Sequence, residues 1–129
     1  MTTLNIIPTK SVNGIEFGAS RAIAEASLGQ PAKTFKKTKW SKSTTADYGD
    51  FHVYYDTDGA FEAIEVFKAD VELPNGKLSI PAIRDAITDA IPSLDADKYG
   101  LTSTGESVGA TVEDDTVTSI LFGKPGYYA

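Results

Sequence analysis

The stretch that decides the fold is FHVYYDTDGAFEAIEVF, residues 51–67, in which two alternating runs flank an Asp-Gly pair. Alternation of apolar and polar residues is typical of strands that bury one face. Asp58 and Gly59 favour a tight turn, because both central residues of the preferred hairpin turn need positive φ. The stretch therefore predicts an antiparallel hairpin with strands at 51–56 and 60–67.

A two-residue loop sets the register of this hairpin. The pairs expected on its core-facing, mostly apolar side are Tyr55 with Glu62, Val53 with Ile64 and Phe51 with Val66. The pairs expected on the more polar, outer side are His52 with Glu65, Tyr54 with Ala63 and Asp56 with Phe61.

A short helix is predicted upstream of the hairpin, at residues 21–28. Ser20 can cap its first turn through the side-chain hydroxyl, and Gly29 ends it. The residues between this helix and the hairpin are polar.

The second half of the chain has a similar order. Ser79 is the predicted cap of a second helix and Pro81 a residue of its first turn, while Ile83, Ile87 and Ile91 form an apolar stripe. Strands are expected at 107–113 and 116–122, on either side of Asp114-Asp115. Residues 71–78, between the two halves, are predicted to be a loop or a short edge hairpin. The terminal Tyr127 and Tyr128 either pack back on the fold or face a partner.

The chain is thus predicted to be one domain, residues 1–129, with a pseudo-repeat at 15–67 and 79–122. Each copy is a helix followed by a β-hairpin. An amphipathic module of this size must bury its apolar face against another element. We expect an α+β fold in which the two modules form an antiparallel sheet that two helices cover on one face.

The composition narrows the class of partner. The net charge is −6, with +5 in residues 1–42 and −11 in residues 43–129. An acidic majority disfavours general nucleic-acid binding, which needs clustered positive charge, and permits a basic protein partner such as a toxin or nuclease. A second interpretation is that the acidity mainly keeps the protein soluble.

The expected location is the cytoplasm. The first residues lack the basic start and apolar run of a secretion signal, and no run approaches the roughly 18 apolar residues of a membrane span. The chain has no cysteine, so neither a disulfide framework nor a thiolate metal site is expected. We predict no cofactor, no bound metal and no membrane partner.

The only histidine provides one hypothesis about chemistry. His52 lies opposite Glu65 in the predicted hairpin, and with Asp56 it suggests an acid–base pair. The alternative is a cross-strand polar pair on an outer sheet face. No catalytic residue is therefore assigned. The acidic residues around Gly59 lack the spacing of a calcium-binding loop and are explained by turn chemistry.

The segment KTFKKTKWSK, residues 33–42, is the most basic part of the chain, with five lysines, two aromatic residues and no acid. Positive charge beside aromatic rings can bind phosphate and stack on a base, which suggests a nucleotide site. The alternative is a solvated loop whose Trp40 packs as a lid on the core.

Several short motifs resemble a known helix-plus-sheet module. They are GIEFGASR at 14–21, LGQP at 28–31, and HVYYD at 52–56 with the following DG and AIE. The module is that of the β-lactamase inhibitor protein family and of small outer-membrane assembly lipoproteins. Tandem versions are similar to bacterial immunity-type proteins. This resemblance implies a protein-binding scaffold.

The function predicted from the sequence is therefore that of a non-enzymatic cytoplasmic protein-binding module. It would be a bacterial or phage inhibitor or immunity-type protein that occludes a partner protein. The alternative is a small-ligand or nucleotide-binding protein that uses residues 33–42, and a third hypothesis is an enzyme centred on His52. The expected partner-binding residues are Lys36, Lys37, Lys39, Trp40, His52, Tyr54, Asp56 and Glu65.

Overall fold

The computed structural model describes residues 2–36, 39–40, 44–97 and 100–128. In chain order the elements are β1 (Thr3–Ile7), β2 (Ser11–Val12), β3 (Ile15–Glu16), α1 (Arg21–Leu28), β4 (Lys33–Phe35), β5 (Thr45–Asp47), β6 (Phe51–Tyr55), β7 (Phe61–Val66), β8 (Ala69–Leu73), β9 (Gly76–Ile80), β10 (Ala82–Ile83), α2 (Arg84–Ala90), β11 (Asp95–Asp97), β12 (Gly100–Ser103), β13 (Val108–Glu113) and β14 (Thr116–Gly123).

The strands form two sheets. The larger has nine strands, with β10 paired to β14 beside the path β11-β12-β13-β14-β7-β6-β5-β4. The smaller has five strands in the order β3-β2-β1-β8-β9. Strand accounts for 51% and helix for 12% of the described structure, so the predicted α+β fold with a helix-covered sheet is wrong. The protein is predominantly β.

The smaller sheet explains much of this difference. Its β1 pairs in parallel with β8, which aligns Leu4 with Val71 across 67 residues of chain. The segment predicted as a loop or edge hairpin is the β8–β9 hairpin, in which Leu73 pairs with Gly76. The sequence predicted only one sheet, and the residues of the smaller sheet are therefore additional strands.

The larger sheet consists of two four-stranded meanders and the short strand β10. One meander, β4 to β7, follows α1, and the other, β11 to β14, follows α2. They join where β7 and β14 pair antiparallel, with Ile64 opposite Phe122 and Val66 opposite Ile120. Each helix is thus followed by four strands rather than by two.

The first helix has the predicted bounds. The Ser20 hydroxyl accepts a hydrogen bond from the Ile23 backbone N–H at 3.3 Å. Gly29 ends the helix with φ +86°, a left-handed conformation that glycine adopts without strain.

The predicted start of the second helix is wrong. Ser79 lies in β9, where its hydroxyl donates to Asp70 Oδ1 at 2.6 Å, and Pro81 precedes β10. The helix begins only at Arg84, because Ile83 pairs with Thr116 of β14. Ile83 is consequently exposed, whereas Ile87 and Ile91 are buried as the stripe predicts.

The first hairpin has the predicted register over most of its length. His52 lies opposite Glu65 and Tyr54 opposite Ala63, but a bulge pairs Tyr55 with Phe61, so the expected pairs of Tyr55 with Glu62 and Asp56 with Phe61 are wrong. The bulge arises because Phe61 also bonds to the chain before α1: its backbone N–H donates to the Ala19 carbonyl at 2.8 Å.

The core lies between the two sheets and the helices. Buried side chains from both sheets pack in one cluster with Ala24 of α1 and Ile87 of α2. Phe51, Val53 and Tyr55 belong to it, which confirms the predicted core-facing side of the hairpin. In the described part of the chain, neither helix has the length and apolar character needed to span a bilayer. The other side of the larger sheet is left for the polar and aromatic residues considered next.

Candidate functional site on the open face of the larger sheet

The side of the larger sheet that faces away from the core, here called the open face, carries three of the predicted partner-binding residues. His52, Tyr54 and Glu65 alternate with core residues along β6 and β7, and all three are half-buried. Ser119 and Leu121 continue the same face onto β14, where Leu121 lies opposite Glu65.

Glu65 is held at the centre of this face by two hydroxyl groups. The Tyr54 Oη donates to Glu65 Oε1 at 2.5 Å, and the Ser119 Oγ donates to Oε2 at 3.1 Å. Burial raises the pKa of Tyr54, and the hydrogen bond to Glu65 raises it further. The phenol therefore stays protonated at neutral pH and remains a donor, which fixes the carboxylate in one orientation.

His52 pairs with another residue. Its Nε2 lies 3.5 Å from Asp47 Oδ1 on β5, and Asp47 Oδ2 lies 3.7 Å from the Lys33 ammonium. The rings of Phe35 and Phe67 meet the imidazole edge-on, at centroid distances of 5.4 and 4.7 Å. His52 lies opposite Glu65 in the strand register, as the sequence predicts, and its side chain contacts Asp47 and the two phenylalanine rings.

The lysine-rich segment adjoins this group. Lys33 to Phe35 is the edge strand β4, and Phe35 reaches His52, so exposed Lys36 continues directly from the open face. Trp40 is 79% exposed, with the Lys39 ammonium 4.8 Å from its ring centroid. The alternative in which Trp40 packs as a lid on the core is wrong, because so exposed a ring does not cover the core. Lys37 lies outside the described residues.

Asp56 belongs to the turn. Its Oδ1 accepts hydrogen bonds from the backbone N–H groups of Asp58, at 2.9 Å, and Ala60, at 3.0 Å. The bond from Ala60, followed by that from Asp58, lowers the pKa of the Asp56 carboxyl group. This arrangement agrees with the turn chemistry expected from the sequence. Within the described ranges, no three His, Cys, Asp or Glu side chains are placed to hold a metal ion.

The C-terminal tyrosines pack back onto the open face, the first of the two expected alternatives. A Cβ atom on Gly109 would lie 2.2 Å from the Tyr128 Oη, and one on Gly123 would lie 2.6 Å from Tyr127 Cγ. The two rings contact each other edge-on at 5.1 Å. Sequence reasoning did not assign these tyrosines to the site. The signal was the presence of glycine inside two strands, which marks a close approach.

A cavity of about 170 Å³ lies beside Tyr128. Its lining includes Glu65, Gly100, Thr102, Gly109, Leu121 and Tyr128. The cavity therefore lies between Glu65, at the centre of the open face, and the strands β12 and β13 of the second meander. Burial raises the pKa of Tyr128 to about 12, and the charges of Tyr127 and Glu65 add to this shift.

A larger cavity, of about 520 Å³, lies on the smaller sheet and has a mostly apolar lining. Its walls include Asn5, Ile7, Glu72, Leu73, Pro74 and Lys77. None of the predicted partner-binding residues lines it.

Comparison with known proteins finds no match of this chain to a protein-family model, to a curated protein or to a solved structure.

Proposed function

We propose that this chain is a non-enzymatic protein that binds and occludes another protein through the open face and the adjoining edge strand β4. In this proposal it acts in the cytoplasm as a toxin immunity protein or as a phage-encoded inhibitor. Its resemblance to the β-lactamase inhibitor protein module implies a protein-binding scaffold. The observation that carries the proposal is the continuity from the Tyr54–Glu65 pair, through His52 and Phe35, to the lysine-rich segment.

The residue types on this surface support protein binding. Aromatic side chains with nearby charges dominate the energetics of protein interfaces. Phe35 and Trp40 are both large and exposed, and the half-buried rings of His52 and Tyr54 follow Phe35 along the open face. Such a surface offers aromatic anchors at its edge and a charged group at its centre.

The rigidity of the surface is a second support. Tyr54, Glu65 and Ser119 lie on three adjacent strands and are joined by hydrogen bonds. Side chains that are already fixed lose little conformational entropy when a partner binds, so more of the contact energy appears as affinity. The net charge of −6 would steer a basic partner towards the protein.

The experiment is site-specific photo-crosslinking in the native host. A photoreactive residue at Phe35 reports on the open face, and one at the exposed Ala86 of α2 serves as the control position. We expect one protein to be captured at Phe35 and not at Ala86. Equal capture at both positions, or capture at Ala86 alone, contradicts the proposal.

Affinity for the captured protein then tests the residues. We expect Trp40→Ala and Tyr54→Ala each to weaken binding by about tenfold or more, as hot-spot residues do. Ile7→Ala removes another large exposed apolar side chain, this one on β1 of the smaller sheet, and is the matched control. Unchanged affinity in the Trp40 and Tyr54 variants would refute this role of the open face.

A second candidate function is favoured by the exposure of Trp40. Its ring is accessible, and the ammonium of Lys39 lies beside it, the combination that binds a phosphate and a stacked base. A ligand that binds only the folded state raises the melting temperature. A thermal-shift measurement with ATP and GTP, on the natural chain and on Trp40→Ala, tests this candidate. A nucleotide-induced shift that Trp40→Ala abolishes supports it, and no shift excludes it.

A further inference from the structure

Glu65 lines the 170 Å³ cavity, near tyrosine side chains. Among the described residues it accepts one hydrogen bond at each oxygen, from Tyr54 and Ser119. A carboxylate offers about four acceptor sites. The same carboxylate therefore retains acceptor capacity towards the cavity that it lines.

Aromatic rings surround this charge. Tyr128 lies over Gly109 and lines the cavity, and Tyr127 contacts Tyr128 edge-on. The Glu65 charge contributes to raising the pKa of Tyr54, Tyr127 and Tyr128, so all three rings lie within its field. A fixed carboxylate beside neutral phenol rings attracts a cation through both its charge and the ring faces.

The size of the cavity limits the ligand. Pockets for free, drug-sized molecules enclose about 300–1,000 Å³, and this one encloses about 170 Å³. Gly100 and Gly109 also line it, and Thr102 contributes a hydroxyl-bearing side chain to the wall. These dimensions suit the end of one long side chain.

We propose that this cavity is a socket for a basic side chain of the partner protein, which places its guanidinium or ammonium group against Glu65 and beside Tyr128. The socket rests on the proposed function for the source of the cation, and it specifies that function: the partner presents an exposed arginine or lysine to the open face. Glu65 supplies the opposite charge, and Tyr128 supplies an aromatic wall.

The test uses the full chain labelled with 15N and needs no partner. The probes are blocked amino acids, namely N-acetyl-arginine methylamide and N-acetyl-lysine methylamide. The corresponding citrulline compound, which has nearly the shape of arginine but no charge, is the control ligand. Binding with a Kd of roughly 1–10 mM is expected for so small a probe. The amide resonances of Gly100, Gly109 and Leu121 should shift with the cationic probes and not with citrulline.

Glu65→Gln keeps the shape of the side chain and removes its charge. We expect it to weaken binding of the arginine probe by about tenfold. Glu72→Gln makes the same change of net charge on the smaller sheet, where Glu72 lies 3.2 Å from Lys77, and should leave binding unchanged. Tyr128 is only partly buried, so Tyr128→Ala tests the aromatic wall should Glu65→Gln fail to fold, and a several-fold loss of binding is expected.

Equal shifts with citrulline, or full binding by both Glu65→Gln and Tyr128→Ala, would overturn the socket. The same holds if no probe moves these resonances at concentrations well above about 10 mM. The proposed function fails separately. If the arginine probe binds but no partner is crosslinked, the socket stands and the proposed function is refuted. If a partner is captured at Phe35 but the arginine probe does not bind, the proposed function stands and the socket is refuted.

Discussion

The hairpins β6–β7 and β13–β14 hold equivalent places in their meanders but differ on the open face. The first carries the large polar side chains of His52, Tyr54 and Glu65. The second carries Leu121 together with the small residues Gly109, Thr111 and Ser119. The C-terminal tyrosines lie over the second hairpin, where the small residues leave room. The first hairpin thus provides charge and aromatic contact, and the second provides space.

The two turns differ as well. Around Asp58-Gly59 only Gly59 has positive φ, at +81°, and the Gly59 N–H donates to the Asp56 carbonyl at 3.0 Å. At Asp114-Asp115 both residues have positive φ, at +50° and +65°. The turn conformation expected for Asp-Gly is therefore found at Asp-Asp. It does not occur in the first hairpin, because the side chain of Asp56 selects a longer loop there.

The largest expected effect concerns the junction of the two meanders. Phe122 is fully buried and pairs with Ile64 across it, so Phe122→Ala should lower the free energy of unfolding by about 3–5 kcal/mol. Phe61→Ala, in the first hairpin, should have a similar cost. Denaturant unfolding followed by circular dichroism and by NMR should give a single transition in both variants. Two separate transitions would show that the hairpins are independent units.

The next effect concerns the tyrosines that cover the second hairpin. In Gly123→Ala the new methyl group would lie 2.6 Å from Tyr127 Cγ, close to the backbone, so the C-terminal segment must move. We expect a loss of about 1–3 kcal/mol in unfolding free energy. In Gly109→Ala the clash is with the outer end of the Tyr128 ring, which can turn away, so the loss should be smaller. Removal of residues 127–129 should abolish most of both differences, and an unchanged cost in the shortened chain would contradict this explanation.

The parts predicted correctly from sequence are those formed by local pattern. Alternation within residues 51–67 identified the first hairpin, its core side and the outer positions of His52, Tyr54 and Glu65. The expected strands at 107–113 and 116–122 match β13 and β14 within one residue. A capping serine and a terminating glycine gave the bounds of α1, because a short helix depends on its ends.

The elements and contacts that the sequence did not predict depend on pairing between residues that are far apart in the chain. The strands β2 and β3 have two residues each, too few to show alternation, and β1 becomes a strand because β8 lies beside it. Ser79 has the chemistry of a helix cap, but its hydroxyl bonds Asp70 across a strand pair. At the site, the pairing of His52 with Asp47 depends on the position of β5, which no local pattern in the polar connection indicates.

Because the two turns differ, we expect replacement by glycine to change the unfolding free energy in opposite directions at Asp115 and at Asp58. Asp115→Gly relieves a positive φ, whose cost of about 1–2 kcal/mol exceeds the roughly 0.5–1 kcal/mol that glycine adds in unfolded-chain freedom, so it should stabilise the protein by up to about 1 kcal/mol. Asp58→Gly, at a position without positive φ, should destabilise it by about 0.5–1 kcal/mol, because glycine only adds freedom to the unfolded chain. Urea denaturation of both variants measures these changes. Stabilisation by both would mean that the turns share one conformation.

The smallest expected effect is a change in the pH dependence of the unfolding free energy when Asp56 of the first turn is replaced. Backbone N–H groups lower the pKa of Asp56 in the folded state, so its contribution to stability is present above the unfolded pKa of about 3.9 and is lost as the pH falls through the lower, folded value. Asp56→Asn keeps an acceptor oxygen for the same N–H groups but does not titrate. Its free energy of unfolding should therefore fall less between pH 5 and pH 2 than that of the natural chain. Equal slopes for Asp56→Asn and the natural chain would show that the Asp56 carboxylate selects the loop without contributing to acid stability.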